Sequence, residues 1–160
     1  MNLMIIGHGG HGKDELAKAM GLKYESSSQA ANRLFIYDSL KGDFGYNSPE
    51  QCYNDRRSKR ELWHDLICKF NADDPARLAK EMLKTSDHYC GIRSKRELEA
   101  IKAERLYDLY IWVDASERLP LEDYKSMKLT PNDADIIVTN NGSLKDFHRK
   151  AINLKKALGL

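Results

Sequence analysis

Apolar residues along this chain fall into two kinds of pattern: short runs bounded by glycine or charge, and longer stretches with helical spacing between them. Leu3-Met4-Ile5-Ile6 is the first run and ends at Gly7. Leu22-Lys23-Tyr24-Glu25 is a brief strand candidate, and His88-Tyr89-Cys90-Gly91-Ile92 and Leu109-Tyr110-Ile111-Trp112-Val113-Asp114 are longer ones. Asp135-Ile136-Ile137-Val138-Thr139-Asn140 is the last. Runs without polar alternation predict strands covered on both faces, as in a parallel sheet with helices on either side.

Helical spacing fills the intervals. Glu15 to Met20 predicts a first helix ending near Gly21, and Ala30, Ala31, Leu34, Phe35 and Leu40 predict a second from about 29 to 40, with Ser26-Ser27-Ser28 as caps. For these serines capping competes with substrate contact. Residues 41–47 read as a loop. Ser48-Pro49-Glu50-Gln51 is a helix start, with the proline at the first helical position. Cys52 to Phe70 is mostly helical with a break near Arg57-Ser58, and Pro75 to Lys84 forms another helix. Ser94 and Glu97 have capping-box spacing, and the final helix starts at Ser143 with Leu144, Phe147, Ala151, Leu154 and Leu158 on its buried side. The expected fold is therefore α/β: one three-layer domain over 1–160 with a five-stranded parallel sheet, a helical insertion at about 41–86 and a short lid at about 116–133.

Composition narrows this little. The chain has 160 residues, 41% hydrophobic and 31% charged, which suits a single soluble domain with one core. A net charge of +2 does not argue for a polynucleotide partner, so any electropositive site must be local. Three scattered cysteines, Cys52, Cys68 and Cys90, suggest neither a disulfide framework nor a zinc site, and predict a reducing cytoplasm. The first residues lead straight into a strand, so neither a signal peptide nor a membrane span is expected.

The chemistry concentrates in Gly7-His8-Gly9-Gly10-His11-Gly12-Lys13-Asp14, between the first strand and the first helix. G-x-x-x-x-G-K in that setting is a phosphate-binding loop. Polyphosphate must be wrapped by backbone N–H groups at a distance that glycine permits cheaply. Lys13 can reach the β/γ-phosphates, and the helix start contributes unpaired N–H groups near Glu15. Asp14 stands where Ser or Thr would bind Mg²⁺. A carboxylate is also a hard ligand for that ion, so nucleotide binding should be tightly coupled to Mg²⁺. His8 is given no role, and His11 counts only as one position of the loop.

Cations and carboxylates at other strand and helix ends complete the candidate set. Trp63, Leu66, Ile67 and Phe70 form an apolar stripe whose backward extension is Arg60 and Arg56. Those arginines either bind phosphate or pair with Asp55, Glu61 and Asp65. Arg93 ends the third strand, where open α/β sheets bind ligands, and holds either an acceptor or a loop carbonyl. Asp114 ends the fourth strand as either a metal-binding carboxylate or the cap of a following turn. Arg118 opens a segment long enough to be a lid, and its charge could cover a transferring phosphoryl. Trp63 and Tyr46 could stack on a base, with core packing the rival for Trp63.

G-x-x-x-x-G-K-D resembles the loop of bacteriophage deoxynucleoside monophosphate kinases, within the nucleoside monophosphate kinase group of P-loop proteins. Asp135-Ile-Ile-Val-Thr-Asn140-Asn141-Gly142-Ser143-Leu144 resembles the last strand and turn of dephospho-CoA kinases, where the backbone lies beside adenine. The helical insertion and lid fall where that group has its acceptor-binding region and its lid. The resemblance implies a P-loop NTPase fold and transfer of the γ-phosphoryl of ATP, with Mg²⁺, to a (deoxy)nucleoside monophosphate. It implies a donor site at Gly7, Gly9, Gly10, His11, Gly12, Lys13, Asp14, Glu15, Asn140 and Gly142, and a metal held by Asp14 and Asp114. Lys13, Arg56, Arg60, Arg93 and Arg118 would serve transfer and acceptor binding. Partners would be small nucleotides, with a homodimer allowed for and nucleic acid disfavoured. The alternatives are a hydroxyl acceptor, for which Asp38 or Asp55 would be the base, and a non-catalytic nucleotide-binding module.

Overall fold

The five strand runs pair into a single parallel sheet in the computed structural model, which describes all 160 residues. The strands are β1 (Leu3–Ile6), β2 (Tyr24–Ser26), β3 (His88–Cys90), β4 (Leu109–Asp114) and β5 (Ile136–Thr139), in the order β2-β3-β1-β4-β5. β1 lies between β3 and β4, with Ile5 beside both Cys90 and Ile111. Parallel pairing brings all five carboxyl ends to one edge, so every loop that leaves them can contribute to one site.

The sheet separates two cores, as the period of two along β1 requires. Met4 and Ile6 face the larger cluster with Trp112, Tyr89, Leu98 and the insertion helices. Leu3 and Ile5 face the smaller one, with Leu16 of α1 (Lys13–Ala19), Met20 just past its end, and Phe147 and Ala151 of α8 (Leu144–Leu158). All four β1 residues are fully buried, which explains the absence of polar alternation there.

Between β2 and β3 lie α2 (Ser27–Ala31), a π turn (Asn32–Ile36), α3 (Tyr37–Phe44), α4 (Pro49–Asp55), a 3₁₀ turn (Arg56–Lys59), α5 (Arg60–Phe70) and α6 (Arg77–Leu83). Ser26 caps α2 with Gln29 in a reciprocal pair, and Ser48 caps α4 with Pro49 behind it. The break expected near Arg57-Ser58 is the 3₁₀ turn. Residues 41–44 are helical rather than part of a loop: Gly42 is carried within α3, and the stop is Gly45, left-handed at φ 67°. A glycine inside a helix is tolerated at about 1 kcal/mol, whereas a left-handed glycine terminates it. The helix expected from about residue 29 starts at Ser27.

α7 (Lys95–Ala103) follows β3 and is capped by Ser94. From Ala115 the chain crosses the sheet edge as a strap without helix until a 3₁₀ turn (Pro131–Asp133). Met127 and Leu129 are buried in the larger core, and Asp133 is paired with Lys95, so the second half of the strap is anchored. Its first half begins at buried Ala115 and is otherwise held mainly by polar contacts. No helix is long and apolar enough to cross a membrane.

Candidate active site

The glycine-rich loop owes its shape to close approach as much as to backbone freedom. Gly7 has φ +148°, and a Cβ there would lie 2.6 Å from the Val113 carbonyl oxygen. Gly12 has φ +105°, and its Cβ would lie 2.6 Å from Asn140 Nδ2. At these two positions a side chain is excluded by both conformation and space. Asn140 Nδ2 also donates to the His11 carbonyl (2.9 Å), which braces the loop against the exit of β5.

Lys13 is folded back onto the loop, donating to the carbonyls of Gly7 (2.8 Å) and His8 (2.7 Å). Burial and the neighbouring Arg93 guanidinium lower its pKa, against the pull of Asp14 and Glu122. Gly91, at φ +92°, brings the end of β3 close to this lysine: a Cβ there would lie 3.3 Å from Ser27 Oγ and 3.9 Å from Lys13 Cε. Ser26 is the capping serine of the trio, and Ser27 is the one at the site.

One carboxylate sits at the centre of these cations. Glu122 of the strap accepts the Gly9 N–H at 2.6 Å, Arg93 at 2.5 Å and Arg60 at 3.3 Å. Its side chain is only 14% exposed, against 41% for Arg93 and 70% for Arg60. Burial by itself would raise the Glu122 pKa, but the bonds from Arg93 and the Gly9 N–H bring it below the ordinary value. Arg60 and Arg93 thus meet at one acid, Glu122, which itself takes the Gly9 N–H of the loop.

The other sequence candidates divide. Arg56 does not reach the loop in this structure: it donates to the Tyr53 carbonyl (2.9 Å) and stacks 3.9 Å above the Tyr53 ring. Arg118 donates through Nε to the Asn140 carbonyl (2.5 Å), at the β5 side of the loop. Gly142 lies near Asp146 at the start of α8, and Glu15 pairs with His148 on that helix (2.5 Å). Asp114 caps its own turn, accepting from Ser116 N–H and Oγ, each at 3.1 Å. Asp14 is exposed at the start of α1, and its charge acts on Lys13, Tyr24 and Cys90. Trp63 and Tyr46 are both in the larger core, Tyr46 donating to Asp55 at 2.5 Å, so neither offers a face to a base.

The loop histidines gain a role. His11 is fully buried, accepts the Ala115 N–H on Nδ1 (3.0 Å) and so presents Nε2–H to the Pro120 carbonyl (3.3 Å). His8 Nδ1 accepts the Glu122 N–H (3.1 Å), with its ring edge-on to Trp112. Both fasten the strap to the loop. Nothing in the local sequence signals this, since the partners lie more than a hundred residues away.

The strand order, with the glycine loop leaving the central strand, is the three-layer P-loop NTPase fold. No protein-family model and no curated protein matches the chain. Among solved structures it is similar to a dephospho-CoA kinase from Campylobacter jejuni, at 17% identity and a TM-score of 0.47, covering 98% of this chain and 96% of that one. It is also similar to an unliganded sugar kinase from Janibacter sp. HTCC2649, at 12% identity and a TM-score of 0.44, covering 94% and 91%. At identities this low neither neighbour lends its substrate to this chain.

Proposed function

We propose that the chain is a phosphotransferase that moves the γ-phosphoryl of ATP to the phosphate of a (deoxy)nucleoside monophosphate. The observation that carries this reading is the convergence of the Gly9 N–H, Arg93 and Arg60 on one carboxylate, Glu122, at the mouth of the glycine loop, with Lys13 near enough to feel its charge. Transfer between phosphates asks the protein for charge neutralisation and in-line positioning rather than covalent chemistry. Lys13 and the loop amides hold the donor phosphates. Arg93, at the β3 exit, and Arg60, at the start of α5, seat the acceptor phosphate.

Asp14 is exposed at the start of α1, beside Lys13, and fits a Mg²⁺ that takes most of its ligands from phosphate and water. A single protein carboxylate suffices for that habit. When bound, the ion neutralises charge developing on the β- and γ-oxygens. The hydroxyl-acceptor alternative needs a general base. Asp55 is a poor one, because bonds from Ser58, Tyr46 and Lys59 pull its pKa down to about 2. Asp38 is paired with Lys41 on the surface.

A coupled ADP-release assay with ATP and Mg²⁺, run against a panel of ribo- and deoxynucleoside monophosphates, nucleosides and DNA, tests the reading. Lys13-dependent turnover on one or a few monophosphates is the expected result. Turnover confined to nucleosides or DNA, or ATP binding without turnover on any acceptor, would refute it.

A further inference from the structure

Glu122 occupies the position where a phosphoryl oxygen would be expected to bind. Its two oxygens take a backbone N–H from the loop, at Gly9, and guanidinium donors from Arg93 and Arg60. These are the donor types that hold phosphate at a glycine loop. The fit is close, since a Cβ at Gly9 would lie 3.3 Å from the Glu122 carboxyl. We propose that Glu122 is an intramolecular occupant of the phosphoryl seat, so that the strap holds the site closed against anions until a phosphate-bearing ligand displaces it. This inference rests on the phosphotransferase reading of the loop and adds a regulated state to it.

The strap is built for such a displacement. Residues 115–122 are held to the loop by the two histidines: Ala115 N–H on His11 Nδ1, Pro120 O on His11 Nε2–H, and Glu122 N–H on His8 Nδ1. The far half does not depend on the loop, because Met127 and Leu129 sit in the core and the Lys128 N–H donates to the Arg93 carbonyl. Between the two anchors Leu121 and Tyr124 are 61% and 73% exposed, so the tip can move without uncovering buried apolar surface. Only polar contacts must break, and an incoming phosphate replaces those of the carboxylate with the same donors. Carboxylate and phosphoryl cannot occupy the seat together. The apparent affinity of any phosphate ligand is therefore lowered by the fraction of molecules in which Glu122 is in place.

Calorimetric titration with inorganic tripolyphosphate reads this without requiring an acceptor or turnover. Glu122→Gln and Glu122→Ala are expected to bind it roughly tenfold tighter than wild type, the scale of one lost charge-assisted bond. Glu117→Gln, a charge change elsewhere on the same strap, should leave the affinity unchanged. Equal or weaker binding by both Glu122 variants overturns the inference while leaving the phosphate loop intact. No binding by wild type or variants overturns the inference and the phosphotransferase reading together. A readout on the wild-type protein covers variants that fold poorly. Saturating tripolyphosphate should speed tryptic cleavage after the exposed Lys125, and slower cleavage would mean that the strap stays closed over the ligand with Glu122 still engaged.

Discussion

Substituting Gly7 by alanine sets the covalent geometry of the loop against the middle of the sheet. The new Cβ would lie 2.6 Å from the Val113 carbonyl oxygen. That oxygen belongs to the backbone of β4, which is paired on one side to β1 and on the other to β5, so it cannot yield as a flexible side chain would. The φ of +148° adds backbone strain of about 1–3 kcal/mol for a residue with a Cβ. Relieving the clash costs a similar amount in displaced strand, so the total is about 2–6 kcal/mol, in the range reserved for named structural faults. For a chain of this size that corresponds to a fall in melting temperature of roughly 10 °C. Gly10 is the internal control: it also has positive φ, 78°, but a Cβ there meets nothing within 4 Å. Gly10→Ala should therefore cost only about 1 kcal/mol, the conformational part alone. Urea unfolding of both variants, with the m-value checked against wild type, gives the comparison. Equal destabilisation by the two would refute the claim that packing against β4, and not loop conformation, demands glycine at position 7.

Two further outcomes follow from the electrostatics. His8 and His88 each accept a backbone N–H on Nδ1, from Glu122 and Leu3, and both have pKa values lowered from 6.5, chiefly by burial. The unfolded chain therefore binds more protons than the folded one below about pH 6.5, so stability is complete above that value and is lost as the pH falls through the folded pKa values. Melting temperatures between pH 7.5 and 5 should fall accordingly, and a flat profile would refute the assignment. Asp14→Asn should weaken Mg²⁺-dependent ATP binding by roughly tenfold, as expected from loss of one charge-assisted contact, while leaving metal-free binding equal or tighter. An equal loss with and without Mg²⁺, measured by calorimetry, would remove Asp14 from the metal site.

Much of the scaffold is local and was therefore legible. The apolar runs that become β1, β4 and β5, the serine caps at Ser48, Ser94 and Ser143, and the break near Arg57-Ser58 depend on neighbours within a few residues. Gly42 and Gly45 were read as one loop because sequence does not reveal which glycine takes the left-handed conformation. Trp63 and Tyr46 were ambiguous for a different reason, since an aromatic at helical spacing suits a core or a ligand equally well until its neighbours are known.

What the sequence by itself determined is the glycine-rich turn between strand and helix and the order of elements along the chain, because both follow from short-range backbone geometry and the periodicity of burial. Tertiary structure alone decided which charges meet. Glu122 bonds Arg93 across 29 positions, Arg60 across 62 and Gly9 across 113. Asp114 takes up Ser116 within its own turn, while the charge of Asp14 acts on Tyr24 and Cys90. Electrostatic partnership falls off with distance in space and is indifferent to distance along the chain, so a lone acid in a polar strap carries no mark of the arginines it will find.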